Sequence, residues 1–232
     1  MSEQSYHQFC PVAMAAELLC TRWTVVLLRE LLAGTTRFNE LRRGLPRISP
    51  ALLSQRLKEL EAGGIVERLP IDQEPGLFEY RLTPAGRELR PLVEGFGRWG
   101  QRWIASDLSL QRLDATLLMW DMRRNVRIDP PPATRRVVQV KFPDAPEKDR
   151  QWWLVATPDA CVDLCRIDPG FDVDLYVNAE LRAMTAIWMG VLPFAEAVED
   201  ERVLLTGDRK IAEAFPSWLA LSPFAGEERR VA

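Results

Sequence analysis

Arg42, Arg43 and Arg47, followed by Ser49, Ala51, Ser54, Gln55 and Lys58, are the residues of this chain whose types and spacing could do chemistry. The chemistry is recognition rather than catalysis. Guanidinium groups donate to phosphate oxygens, while Ser, Gln and Lys can reach base edges in a groove that a small residue such as Ala lets the backbone approach. The spacing orders them. At about 100° per residue, Ala51, Ser54, Gln55 and Lys58 fall on one side of a helix, with Leu52, Leu53, Leu57 and Leu60 on the other. An amphipathic helix of a small bundle would bury the same leucines. The small, hydrogen-bonding outer face favours a helix laid in a major groove.

No second constellation competes with this one. The lone histidine, His7, is near the N-terminus, and no nucleophile-elbow or phosphate-loop pattern occurs, so the reading is not an enzyme. Cys10, Cys20, Cys161 and Cys165 have neither zinc spacing nor the density of a disulfide framework, so neither metal nor cofactor is expected. Cys161 and Cys165 share a face of a predicted strand and stand too far apart to bridge. Cys10 precedes Pro11 at a predicted helix start, where the helix dipole favours thiolate. It is either a redox-sensitive thiol or an inert small residue.

The elements that position these residues follow from local signals. Ser49 is an N-cap and Pro50 a first helical residue, and Gly63-Gly64 ends that helix. Before it lie predicted helices at 11–20 and 23–33, and a short one around Phe38–Arg43 that enters a Gly44-Leu45-Pro46 turn. After it, Ile65–Pro70 and Phe78–Leu82 read as a hairpin, and Thr83-Pro84 opens a last helix to about Ser106. Arg56 lies near the apolar side, which predicts an internal ion pair. Phe96, Trp99 and Trp103 line that last helix at three- and four-residue spacing, which predicts either a dimer interface or a contact with the second half of the chain.

Composition agrees with a folded protein, 47% hydrophobic and 27% charged with a net charge of −3. The charge is unevenly placed: between residues 22 and 58 eight basic side chains meet only Glu30 and Glu40. That local excess is what phosphate binding needs. The start, MSEQSYHQF, lacks a secretory pattern, and no apolar run approaches a membrane span, so a cytoplasmic protein without membrane contact is expected.

Cys10-Pro11, Arg22-Trp23, RFNEL at 37–41, LPRIS at 45–49, LLSQRLKELEAGGIVER at 52–68 and EYRLTPAGREL at 79–89 together resemble the HxlR-type transcriptional regulators. The resemblance implies a winged helix-turn-helix, a homodimer on double-stranded operator DNA with two half-sites, and repression as the output. It further implies that the first and last helices form the dimer interface and that the helix from Ser49 to Glu61 enters the major groove. In some members that the chain resembles, a cysteine at the position of Cys10 senses oxidants or electrophiles. The wing departs from the family pattern. Glu74-Pro75-Gly76-Leu77 and nearby Asp72 stand where a basic residue is common, which argues against a strong wing contact and leaves Arg68 and Arg81 as phosphate candidates.

Beyond Leu108 the pattern changes. Asp114–Arg124 reads as a helix, and strands are predicted at Arg135–Phe142, Gln151–Thr157, Ala160–Asp168 and Phe171–Val177, joined as an antiparallel meander. Helices at Ala179–Met189 and from Pro193 to Val198, a strand Arg202–Thr206 and a helix Asp208–Leu219 follow. FDVDLYVNAELRAMTAIWMG and VLLTGDRKIAEAFPSWL make this half similar to sterol-carrier-protein domains. That similarity implies a hydrophobic small-molecule effector or lipid between sheet and helices. Candidate lining residues are Trp152, Tyr176, Met184, Trp188, Phe194, Phe215 and Trp218, with Leu181, Leu192 and Leu219 on the same apolar helix faces and Trp152 and Trp153 necessarily on opposite sheet faces. The expected fold class is α+β. An N-terminal winged helix-turn-helix domain (8–106) precedes a C-terminal sterol-carrier-like α/β domain (107–225), whose antiparallel-rich five-stranded sheet is covered by helices. A lipid-carrier module is the alternative that this second half leaves open.

Overall fold

The computed structural model describes residues 5–231 apart from Gln73 and Ala160, and only the backbone of Leu108 and Ser109. Two compact units divide between Gly97 and Arg98. The first holds α1 (Pro11–Leu19), α2 (Thr24–Leu32), α3 (Phe38–Gly44), α4 (Pro50–Ala62), a hairpin of β1 (Val66–Pro70) and β2 (Phe78–Leu82), α5 (Pro84–Glu88) and the start of α6 (Arg90–Trp103). This is the order of a winged helix-turn-helix.

Local signals set the bounds of α4. Ser49 Oγ accepts the Leu52 N–H at 3.2 Å, and Pro50 takes the first helical position. At the far end Gly64 adopts φ +70°, with Ile65 N–H donating to the Leu60 carbonyl and Gly64 N–H to that of Glu61. That is the paired 6→1 and 5→2 closure of a Schellman motif, which a residue with a Cβ would strain. Leu53, Leu57 and Leu60 are at most 1% exposed and meet Leu27, Leu28 and Leu41, while Leu52 is half-buried. Full burial contributes roughly 1.5–3 kcal/mol per leucine. It fixes which face of α4 turns outward.

The predicted last helix is divided in two. Pro91 has no N–H for the Arg87 carbonyl, so the ladder breaks at Leu89 and α6 restarts beside it. A polar contact also sits in this core. The Glu30 side chain is 0% exposed, Arg29 reaches it at 2.6 Å, and the same guanidinium donates to the Gly44 carbonyl at 3.1 Å. A Cβ on Gly44 would lie 1.9 Å from Glu30 Oε2, so only glycine lets the end of α3 close over that carboxylate.

The second unit holds the rest of α6, α7 (Ser106–Leu110), α8 (Ala115–Asn125), β3 (Arg136–Lys141), β4 (Gln151–Ala156), β5 (Val162–Cys165), β6 (Leu175–Ala179), α9 (Leu181–Trp188), α10 (Phe194–Glu199), β7 (Val203–Gly207) and α11 (Arg209–Trp218). Its sheet has the order β5-β4-β3-β6-β7, mixed, with β3 and β6 parallel and the other neighbours antiparallel. The first three strands form the predicted meander; the third was expected from Ala160, which lies outside the described residues. The expected fourth strand needs correction. It begins at Leu175 rather than Phe171, and it crosses back to lie beside β3 instead of β5. Asp174 directs it there: its N–H donates to the Val137 carbonyl at 2.9 Å and its Oδ2 accepts the Val137 N–H at 2.7 Å.

Alternation divides the sheet residues between two faces. Val138, Val140, Trp152, Leu154, Leu175, Val177 and Val203 pack with α8, α9 and α11 in the larger core. Val137, Trp153 and Val155 face the other way, against Cys165 and Val173. Trp152 and Trp153 thus part as expected, and Trp152 Nε1 donates to the Asp149 carbonyl at 2.8 Å. Asp208 caps α11 by accepting the N–H groups of Lys210 and Ile211.

Among the described residues no single helix is long and apolar enough to cross a membrane.

Candidate nucleic-acid interface and C-terminal hollow

Because the leucines of α4 turn inward, Ala51, Gln55 and Lys58 stand exposed, with Ser54 half-buried between them. Ser49 is exposed, but its oxygen is occupied by the cap. Arg42, Arg43 and Arg47 are exposed around the turn because Leu41, Gly44, Leu45 and Ile48 take the buried positions there. The outer face is pre-ordered by Glu59. One of its oxygens accepts Gln55 Nε2 at 2.9 Å and the other accepts Arg56 Nη1, while Arg56 Nε also donates to the Arg22 carbonyl at 3.0 Å. The internal ion pair predicted for Arg56 is present, and Glu59 is the partner that sequence reasoning did not single out. An acid one turn after a glutamine was the available signal.

The wing differs from this surface. Arg68 lies 3.5 Å over the Phe78 ring, and Arg81 pairs with Glu79 at 2.6 Å. Both phosphate candidates are therefore engaged inside the hairpin. At its tip Glu74 accepts both terminal nitrogens of Arg37, Nη1 at 3.0 Å. The guanidinium holds the Glu74 carboxyl below its usual range, and Glu74 in turn raises the Arg37 pKa.

Cys10 is the N-cap of α1. The backbone N–H groups of Ala13 and Val12 at the head of α1 lower its thiol pKa below the ordinary value. No residue of α1 is buried, and Phe9, Val12 and Met14 are exposed. On α6, Phe96, Trp99 and Trp103 are 59%, 60% and 47% exposed, an apolar stripe that the chain's own packing leaves largely in water.

In the second unit the predicted lining residues separate. Trp152, Met184 and Phe215 are core side chains, at most 1% exposed. Trp188 packs against them, and Phe215 meets Phe194 and Trp218 edge-on at 6.1 and 6.2 Å. Tyr176 projects from β6 to the sheet face opposite the helices, because its neighbours Leu175 and Val177 point into the core. A hollow of about 480 Å³ lies where α9 ends, α10 begins and α11 ends, with Ile187, Leu192, Phe194, Pro216, Leu219 and Leu221 among its walls. Of the predicted residues Leu192, Phe194 and Leu219 line it. Gly190, Val191 and Leu221 were missed because the walls come largely from turns, which carry no periodic signal.

Residues 18–108 match the family model described as HxlR-like helix-turn-helix. The uncharacterised HTH-type transcriptional regulator YvaP of Bacillus subtilis is 39% identical over 98 residues, which are 42% of this chain and 91% of that protein. YybR of the same organism, described in the same terms, is 40% identical over 92 residues, 40% of this chain and 74% of its own. The solved structure of the redox regulator HypR in its reduced form is 39% identical, with a TM-score of 0.38, covering 40% of this chain and 91% of that one.

Proposed function

The chain belongs to the HxlR-like helix-turn-helix family, whose relatives are transcriptional regulators, and on that premise we propose that it is a homodimeric repressor whose operator contacts come from α4. The carrying observation is the outer face of α4, with Ala51, Gln55 and Lys58 exposed beside Arg42, Arg43 and Arg47. In this reading the arginines neutralise phosphates and fix register, while Gln55, Lys58 and Ser54 read base edges. Phe96, Trp99 and Trp103 meet a second copy, which supports a two-fold pair of α4 helices on two half-sites. Fluorescence anisotropy on a duplex from the neighbouring promoter tests it. Saturable binding whose log affinity falls linearly with log salt is expected; binding equal to that of a scrambled duplex would count against base reading.

The second unit supports control by a small hydrophobic ligand in a sterol-carrier-like domain. Five mixed strands lie under helices on one face, and the adjoining hollow is walled mainly by apolar side chains. At about 480 Å³ its size falls in the range of small-molecule sites. Such a ligand acts only if it binds the DNA-competent and DNA-incompetent states unequally. Unchanged operator affinity across a panel of fatty acids, fatty alcohols and sterols would oppose this part.

A second reading, redox control, draws on Cys10 alone, whose thiol pKa is lowered at the head of α1. Equal operator affinity before and after mild peroxide would exclude it.

A further inference from the structure

All three arginines around the wing are engaged by neighbours: Arg37 by Glu74, Arg68 by the Phe78 ring and Arg81 by Glu79. The first of these pairs has no evident structural task. Backbone places Arg37 beside the hairpin, since Tyr80 N–H donates to the Thr36 carbonyl at 2.9 Å and Arg37 forms a one-residue bridge with Glu79. Backbone also closes the tip. Ile71 and Leu77 N–H groups donate to the Leu77 and Glu74 carbonyls at 3.1 and 3.0 Å, and Glu74 N–H to that of Ile71 at 3.0 Å. The ion pair itself is open to water, its side chains 45% and 37% exposed, so its contribution to stability is small.

What the pair does change is charge at one place. Arg37 immediately precedes α3, the first helix of the helix-turn-helix, and in such proteins this helix crosses the phosphate backbone. A guanidinium there is positioned to meet a phosphate, yet Glu74 takes both of its terminal nitrogens. Asp72 adds a second carboxylate close by in sequence.

We propose that Glu74 competes within the molecule for the phosphate-binding capacity of Arg37. It restrains the wing from the duplex and lowers sequence-independent affinity, while base reading by α4 is untouched. Because a phosphate contact strengthens binding about uniformly across sequences, this restraint sets overall affinity and its salt dependence and leaves the ratio of specific to non-specific binding to α4. The proposal rests on the DNA-binding reading above.

The test compares the full-length parent, Glu74→Ala, Arg37→Gln and the double variant on a scrambled duplex and on the promoter duplex across a potassium chloride series. Glu74→Ala is expected to steepen the salt slope by about 0.9 for each protomer bound. Counterion release alone then tightens binding to the scrambled duplex about eightfold per protomer at ~0.1 M salt. The double variant returns to the parental slope, and Arg37→Gln alone leaves that slope in place. Thermal unfolding of all four proteins checks that the fold is retained. A Glu74→Ala slope equal to the parent's, in folded protein, overturns the proposal and leaves the DNA-binding reading standing. Loss of slope in Arg37→Gln alone also overturns it, since Arg37 would then already be on DNA. A parent that binds neither duplex removes the DNA-binding reading and this proposal with it.

Discussion

The outer face of α4 and the hollow of the second unit are both candidate binding surfaces, but they are built in opposite ways. The first belongs to one helix, whose buried leucines decide where every polar side chain points. The second is assembled from the ends of three helices and the turns between them. A single-helix site inherits its order from periodicity and is therefore rigid before any ligand arrives. An assembled site depends on how separate elements close, and it can respond to what fills it.

Substitutions in the two regions separate these two kinds of surface. Phe215→Ala empties the core above the sheet and is expected to remove about 3–5 kcal/mol of stability, measured by urea unfolding. Leu57→Ala, behind the α4 surface, is expected to remove about 2–5 kcal/mol and to lose DNA binding with the fold. Equal stability in either variant would mean that the assigned packing is wrong. Gly44→Ala is expected to be weaker, about 1–3 kcal/mol, because α3 must move off the buried Glu30 carboxylate; Glu30→Gln would not relieve the clash. Tyr176→Ala lies away from the core and should stay within about 0.5 kcal/mol. A larger loss would show that the outer sheet face is packed in the functional state.

Titration gives the smallest expected effect. The pKa of Cys10 is lowered by the backbone N–H groups at the head of α1, so its alkylation by iodoacetamide should reach half its maximal rate below the pH for a free thiol peptide. Unfolding in urea should remove that difference. A midpoint that does not move on unfolding would place the thiol away from the α1 terminus.

Legibility followed the same division. Ser49-Pro50, the leucine spacing and Gly63-Gly64 make α4 readable from local rules, and the structure has it from Pro50 to Ala62. The break before α6 was also written locally, in Pro91, but the strong Phe96-Trp99-Trp103 stripe masks it. Glu30 was not readable as buried, because Gly44, which closes over its carboxylate and accepts from its neighbour Arg29, comes near only when α3 meets α2. The Arg37–Glu74 pair likewise depends on the hairpin folding back past α3. In the second unit, turn signals locate strands but cannot say which edge a strand joins. Asp174 settles that for β6 through bonds to Val137, far away in sequence.

The proposed operator contact depends on α4 presenting its short polar side chains to bases. The measurement that tests it most directly is the affinity ratio between the promoter duplex and a scrambled one, for the parent and for Gln55→Ala/Lys58→Ala. The double variant is expected to keep its non-specific affinity within the loss of one cationic contact per protomer. Its ratio should fall at least tenfold, since each good base contact discriminates by about 1–3 kcal/mol. An unchanged ratio in a folded double variant would contradict it.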